Sequence, residues 1–183
     1  MPTRKRLTEA AAAFLLVLLH PWSAPAAAQT AFSSTATHET CFTPGDDCEG
    51  LIVRTIEAAR RSIEIQAYEF TSRPIAQALH DARKRGVDVR AILDKSQERG
   101  KSGVLEILAS AEIPIRIDDK VSIAHNKVIV IDGAATITGS FNFTNAAQRK
   151  NAENVLIVRN DRGLAQAYEA NFGKRWKVAR SFN

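Results

Sequence analysis

The chain has 183 residues, which suits one ordinary domain and is too short for two. Hydrophobic residues make up 45% of it and charged residues 25%, so the composition is globular and excludes wholesale disorder. The formal net charge is +5, from 25 Lys and Arg against 20 Asp and Glu. This modest positive charge favours an anionic partner without identifying one.

The first 28 residues have the pattern of a secretory signal peptide. The basic residues 4–6 precede an apolar run over 10–19 and a small-residue stretch over 24–28. The apolar run is shorter than the roughly 20 residues of a membrane span, and an uncut N-terminal anchor helix is the alternative. We predict cleavage after Ala28, which leaves 155 of the 183 residues and removes three basic residues and Glu9, so the net charge falls from +5 to +3. The expected location is periplasmic or secreted, without stable membrane association.

Two cysteines follow in a segment that we predict to be a leader, residues 29–49. Residues 29–40 are small and polar without periodicity and are expected to be flexible. Cys41 and Cys48 flank a Pro44-Gly45 turn signal, and an oxidising compartment would join them in a disulfide. Closing this short loop would stabilise the fold by about 2 kcal/mol. A metal site is the alternative, but two cysteines without nearby histidines offer too few ligands.

Helical and extended patterns alternate over residues 50–183, which we take as the folded domain. Helical spacing occurs at 52–59, 75–82, 104–111 and 164–176, and strand patterns occur at 63–67, 87–93, 113–117, 128–131, 136–143 and 155–158. The polar residues 94–102 are expected to form a loop that borders the functional cleft. This alternation predicts an α/β fold with a mixed β-sheet flanked by helices on both faces.

A histidine and a lysine stand two residues apart before the apolar strand 128–131. His125 and Lys127 share a strand face, and an imidazole beside an ammonium suits chemistry at an anionic oxygen. Two solvated residues at a strand end are the alternative. Asp132 has the opposite parity, so we expect it to play a supporting role at a turn rather than to contact the anion.

Polar side chains on the next two strands add to this set. Ser140 and Asn142 follow Gly139 on one face, where a hydroxyl and an amide would complete an anion pocket. Glu153 precedes the strand 155–158, and a carboxylate beside His125 would fix the orientation of the imidazole. The alternatives are a polar strand face near a turn and a surface glutamate.

Taken together, these residues resemble the signature of the phospholipase D superfamily. The match is strongest to its short bacterial endonucleases, called Nuc. The signature residues are His125, Lys127, Asp132, Gly139, Ser140, Asn142 and Glu153. Segments 67–71, 85–89 and 139–144 and the last helix are also similar to that branch, and the resemblance covers roughly residues 50 to 180.

The resemblance implies an α-β-α sandwich that hydrolyses phosphodiesters in two displacement steps without a metal or other cofactor. His125 would be the nucleophile and would form a phosphohistidine. Non-bridging oxygens would be held by Lys127, Ser140 and Asn142. Glu153 would orient His125, and Asp132 completes the catalytic set in its supporting role.

This mechanism needs a second histidine for proton transfer, and the expected mature chain offers only two others. His38 and His80 lack a lysine two residues on, and we interpret both as ordinary polar residues. The second histidine is then His125 of another copy, which predicts a homodimer with a shared active site, as the short family members form.

Nucleic acid is the predicted partner, with DNA as the leading substrate and RNA as the second candidate. Basic residues that would attract phosphates are Arg83, Lys84, Arg85, Lys95, Arg99, Lys101, Arg149 and Lys150, although solvated surface charges are the alternative. A phospholipid phosphodiesterase and a catalytically silent nucleic-acid-binding module are the rival hypotheses. No cluster with metal-ligand spacing occurs in the sequence, so we predict a metal-independent reaction.

Overall fold

The structure, a computed structural model, describes residues 29–100 and 102–182. The predicted signal peptide and Lys101 lie outside the described residues. The strands are β1 (Thr37–Thr43), β2 (Ser62–Ala67), β3 (Asp88–Asp94), β4 (Ile115–Asp118), β5 (Lys127–Ile131), β6 (Ala135–Gly139), β7 (Glu153–Arg159) and β8 (Arg180–Ser181). The helices are α1 (Cys48–Glu57), α2 (Arg73–Lys84), α3 (Val104–Ser110), α4 (Asn145–Arg149) and α5 (Arg162–Val178), with a 3₁₀ helix at Lys95–Arg99.

All eight strands form one mixed sheet in the order β1-β7-β6-β5-β2-β3-β4-β8. Strands β2, β3 and β4 run parallel to one another, whereas β5 is antiparallel to β2 and every remaining pair is antiparallel. The carboxyl ends of β2, β3, β4 and β6 therefore lie at the same edge of the sheet as the amino ends of β5 and β7. We call this edge the active edge.

Helices cover both faces of the sheet, which confirms the predicted fold class. On β2, Ile63 and Ile65 face the main hydrophobic core beneath α1, α2 and α3. Val128 and Val130 of β5 point the other way and pack against Ala165 of α5. The continuous burial of β5 follows from this double cover, because a strand between two helix layers has no solvated face.

The leader is only partly as predicted. The disulfide between Cys41 and Cys48 is present and ties β1 to the start of α1. The expectation of flexibility for residues 29–40 is wrong from Thr37 onward, because Thr37–Thr43 pairs in antiparallel register with β7. Side chains along β1 are mostly exposed, so its stability comes from backbone hydrogen bonds that leave no hydrophobic pattern in the sequence.

The predicted strand over 136–143 also differs from the structure, since β6 ends at Gly139. Gly139 has a φ of 153°, and a Cβ there would lie 2.2 Å from the carbonyl oxygen of Asn154. The chain leaves the sheet at this point, so Ser140 and Asn142 lie on a loop. Phe141 and Phe143 are nevertheless buried, so the predicted alternation of inward and outward side chains survives without a strand.

The helix ends that frame the active edge follow local capping rules. Ser72 caps α2 by accepting a hydrogen bond from the amide of Ile75, and Pro74 lies in the first turn. Because β2 ends just before this cap, α2 begins at the active edge and Lys84 lies at the opposite edge.

Within the described residues, no helix is both long and apolar enough to cross a bilayer.

Candidate active site

The structure brings the predicted site residues to the active edge. His125 and Lys127 lie at the start of β5, Ser140 and Asn142 follow β6, and Glu153 begins β7. Strand pairing explains this convergence, because β5, β6 and β7 are consecutive neighbours in the sheet. Asp132 is the exception and lies at the far end of β5.

The Lys127 ammonium is enclosed. The residue is only 8% exposed, and its Nζ donates a hydrogen bond to the carbonyl oxygen of His125 at 3.0 Å. Nζ also lies 4.9 Å from the centre of the Tyr68 ring, within cation–π range. Burial lowers the pKa of Lys127, while the carboxylates of Glu69 and Glu153 oppose that shift. The pocket therefore keeps a desolvated cation next to the nucleophile candidate.

The His125 side chain is exposed and rests against an aromatic ring. Its imidazole and the Tyr68 ring have centroids 4.6 Å apart and planes tilted by 48°. The Tyr68 amide donates to the carbonyl oxygen of Asn126 at 2.9 Å, which fixes the end of β2 beside the start of β5. The imidazole thus has one face supported and the rest open to a substrate.

Asp94, at the end of β3, holds the segment that leads into His125. Its carboxylate accepts hydrogen bonds from the amide of Ser96 at 2.8 Å and from the amide of Ala124 at 2.7 Å. Burial alone would raise the pKa of Asp94, but these amide hydrogen bonds outweigh it and hold the pKa below its usual value. An ionised, buried carboxylate therefore anchors the residue before His125.

Glu153 contacts Ser140 rather than His125. Ser140 Oγ donates to Glu153 Oε2 at 2.6 Å, and Asn151 Nδ2 donates to Oε1 at 2.9 Å. The amide of Asn154 donates to Ser140 Oγ at 3.0 Å, so this hydroxyl is held from two sides. In the described part of the chain no hydrogen bond joins the His125 ring to Glu153. The contact through which Glu153 was expected to orient His125 is therefore not formed in this structure.

A carboxylate just beyond the end of β2 orients the Asn142 side chain. Its Nδ2 donates to Glu69 Oε2 at 3.2 Å. Because a carboxylate accepts only, this contact fixes the amide orientation. The amide nitrogen carries a second hydrogen, which remains available to an anionic oxygen.

Asp132 has a structural position, as its strand parity predicts. Its carboxylate accepts hydrogen bonds from the backbone amides of Arg60 at 3.0 Å, Arg61 at 2.7 Å and Ser62 at 3.0 Å. Burial raises the pKa of Asp132, but these amides outweigh it and the pKa is lowered overall. Asp132 therefore fastens the turn before β2 at the edge opposite the candidate site, and its supporting role in the catalytic set stays a prediction.

Three residues at the active edge had no assigned role in the sequence analysis: Tyr68, Glu69 and Asp94. All three lie at or just beyond the carboxyl ends of β2 and β3, where open α/β folds place functional groups, and that rule was the available signal. No group of three or more His, Cys, Asp or Glu side chains placed to hold a metal occurs among residues 29–100 and 102–182. Metal independence stays a prediction.

Comparison with known proteins finds relatives of the folded domain. A family described as cardiolipin synthase, PLD-like domain, matches residues 52–176. A phospholipase D from Rickettsia prowazekii is 48% identical over 136 residues, which make up 74% of this chain and 66% of that protein. The chain thus spans about two thirds of that relative's length.

Two solved structures have the same fold. Nuc from Salmonella typhimurium, a phospholipase D family member, has a TM-score of 0.77 and 35% identity, with 81% of this chain and 99% of that chain covered. NucT from Helicobacter pylori has a TM-score of 0.74 and 23% identity, with 80% and 99% covered. The chain therefore belongs to the phospholipase D superfamily of phosphodiesterases.

Proposed function

We propose that the chain is a metal-independent endonuclease that cuts DNA, with RNA as a second substrate, through a phosphohistidine intermediate. The observation that carries this proposal is the convergence of His125, Lys127, Ser140 and Asn142 at one edge of the sheet. The likeness to Nuc over nearly the whole of that protein supports a nuclease rather than another member of the superfamily.

The proposed reaction has two displacement steps. A ring nitrogen of His125 attacks phosphorus, the bond from phosphorus to the leaving oxygen breaks, and a second imidazole gives that oxygen a proton. Water then attacks the phosphohistidine, gives its proton to the same second imidazole and releases His125. Lys127, Ser140 and Asn142 hold the non-bridging oxygens, where the desolvated ammonium of Lys127 interacts most strongly with developing charge.

The second imidazole comes from another copy of the chain in this proposal. The two other histidines of the described residues are away from the active edge or engaged: His38 lies on the exposed part of β1, and His80 Nδ1 is hydrogen-bonded to Asp81 at 2.8 Å on α2. The described part of one chain therefore presents one catalytic imidazole, and a homodimer that joins two active edges supplies both.

The proposed location is the periplasm or the exterior of the cell. The Cys41–Cys48 disulfide supports a compartment outside the reducing cytosol. The signal pattern in residues 1–28 supports export.

A phospholipid phosphodiesterase is the second candidate function. The Rickettsia relative carries the name phospholipase D. In this chain Ile123 is 53% exposed two residues before His125, so an apolar side chain stands beside the nucleophile candidate. An acyl chain would find a contact there.

One experiment separates these functions. The mature protein is incubated in the presence of a chelator with one substrate at a time: plasmid DNA, RNA or phosphatidylcholine vesicles. The His125→Ala variant is the matched control. We expect nicking and linearisation of plasmid in the chelator, and no cleavage by the variant. Cleavage of vesicle lipid alone favours the second candidate, and plasmid cleavage that requires added magnesium contradicts the metal-independent reaction.

Mixed dimers test the shared site. When wild-type and His125→Ala chains are unfolded and refolded together, a site that needs both histidines is intact only in dimers of two wild-type chains. Activity should then fall as the square of the wild-type fraction. A linear dependence, or full specific activity in a dilute sample that sediments as a monomer, overturns the shared site.

A further inference from the structure

A groove of about 530 Å³ opens beside the candidate active site and has no part in the chemistry proposed above. It lies beyond the carboxyl ends of β3 and β4. Its lining includes Tyr68, Lys95, Ser96, Arg99, Ser122 and Ile123.

The groove is continuous with the position of the nucleophile candidate. Tyr68 lines the groove and also contacts the His125 ring, at 4.6 Å between centroids. Ser122 and Ile123 also line the groove and belong to the segment that leads directly into His125. A molecule that occupies the groove therefore lies next to a phosphate held at His125.

The carboxylates of the groove are already engaged. Asp94 is buried and accepts two backbone amide hydrogen bonds. Glu98 and Asp119 both form ion pairs with Arg180. Asp119 also forms an ion pair with Lys120, at 3.1 Å, so each of the three carboxylates has a partner.

Two cations of the groove have no such engagement. Lys95 and Arg99 are exposed, and neither forms an ion pair in the described part of the chain. Among the described residues, Lys95 Nζ donates one hydrogen bond, to the carbonyl oxygen of Val121 at 3.3 Å. The hydroxyl groups of Ser96 and Ser122 add neutral donors to the same surface. Among the described residues, the charged side chains of this groove that lack an ion pair and stand exposed are therefore the cations Lys95 and Arg99.

We propose that this groove binds the phosphates that flank the scissile phosphate of a nucleic acid strand, with Lys95 and Arg99 as their partners. The inference rests on the proposed endonuclease function and names the path of the strand. A polymer continues on both sides of the bond that is cut, so its next phosphates must cross the surface beside His125. A phospholipid such as phosphatidylcholine has one diester and would leave both cations without a partner.

The test compares a double variant of the groove with a matched variant of the opposite edge. Lys95→Gln/Arg99→Gln removes two charges from the groove. Arg60→Gln/Arg162→Gln removes two charges from exposed residues near Asp132 and the start of α5. The substrates are a single-stranded oligonucleotide, which reaches the groove, and bis-p-nitrophenyl phosphate, which has a single diester.

We expect kcat/KM of the groove variant to fall about tenfold more on the oligonucleotide than on the small diester, and the control to show no such difference. Binding by the same variants is measured in a His125→Ala background. The slope of log K against log salt should weaken by about 1.4, since each phosphate contact on a single strand contributes about 0.7.

Failure of the groove and failure of the proposed function give different results. Equal losses on both substrates, or an unchanged salt slope, overturn the groove assignment. A parent protein that hydrolyses the small diester and no nucleic acid contradicts the endonuclease. Even if the parent protein cleaves no nucleic acid, the slope of log K against log salt shows whether the groove binds a strand.

Discussion

The ring of Tyr68 contacts both His125 and Lys127 of the candidate site, with its centre 4.6 Å from that of the His125 imidazole and 4.9 Å from Lys127 Nζ. Tyr68 directly follows β2, and both of its contacts lie at the start of the neighbouring strand β5. One aromatic ring therefore sets the separation between the nucleophile candidate and the cation. We interpret Tyr68 as a positioning residue.

Replacement of the Tyr68 ring should reduce catalysis more than removal of its hydroxyl. Tyr68→Ala frees the His125 imidazole and exposes Lys127, and a misplacement of this kind costs about 10- to 100-fold in kcat. Tyr68→Phe keeps both ring contacts and should lose much less. Turnover of a small phosphodiester checks this, with the pH profile as second readout, because exposed Lys127 would regain a higher pKa. Equal losses in the two variants would contradict a positioning role for the ring.

The charge of Glu69 should set the alkaline limit of activity. Burial lowers the pKa of Lys127, and the carboxylates of Glu69 and Glu153 counteract that effect. Glu69→Gln removes one of these charges and keeps an oxygen that can accept from Asn142. The pKa of Lys127 then falls further, so the cation is lost at lower pH and the alkaline limb of the kcat/KM profile moves to lower pH.

The matched control for this prediction is Glu106→Gln on α3, an exposed glutamate. Its profile should coincide with that of the parent protein. An alkaline limb that moves to higher pH in Glu69→Gln, or does not move, would show that Lys127 is not the group that titrates there.

Loss of the disulfide should destabilise the domain by about 2 kcal/mol, because the Cys41–Cys48 link closes a short loop. The double variant Cys41→Ala/Cys48→Ala should show this loss in denaturant unfolding. β1 should also exchange its amide hydrogens faster than β6, since the link holds this edge strand against α1. Uniform exchange across the sheet in the double variant would show that pairing with β7 alone fixes β1.

The sequence predicts the fold wherever burial leaves a pattern. The apolar run 128–131 and the alternation of Ile63 and Ile65 predict β5 and β2, and the structure places both in the sheet. β1 has no such pattern because most of its side chains are exposed. Backbone pairing with β7 is a tertiary event, so residues 37–40 could not be recognised as a strand from their own composition.

The candidate site, too, can be predicted from the sequence only in part. The residue types and spacing of His125 and Lys127 are local, and the sequence predicts their common position. The partner of Glu153 is not local in the sequence. β6 ends at Gly139, and the chain then brings the Ser140 hydroxyl to Glu153. Ser140 thus binds the carboxylate that the sequence assigns to His125. Asp94 acts on Ala124 across the sheet edge, and sequence spacing alone cannot indicate such a contact.

Glu64 should make the stability of the protein depend on pH near neutrality. It lies on β2 beneath α5, 9% exposed, and pairs with Arg90 of β3. Burial raises the pKa of Glu64 from 4.5 to about 7, against the opposing effect of Arg90 and with the help of Glu169 and Asp88. The carboxyl group therefore keeps its proton in the folded protein over a pH range in which the unfolded chain loses it.

The sign of the effect follows from this raised pKa. The contribution of Glu64 is fully present below pH 4.5 and is lost as the pH rises through about 7, with a size on the order of 3 kcal/mol. Glu64→Gln mimics the protonated side chain, so its free energy of unfolding should decline less than that of the parent between pH 5 and 8. The exposed Glu57→Gln of α1 is the control and should follow the parent curve. If Glu64→Gln declines as steeply as the parent, Arg90 keeps Glu64 ionised throughout, and the buried ion pair outweighs the cost of desolvating the carboxylate.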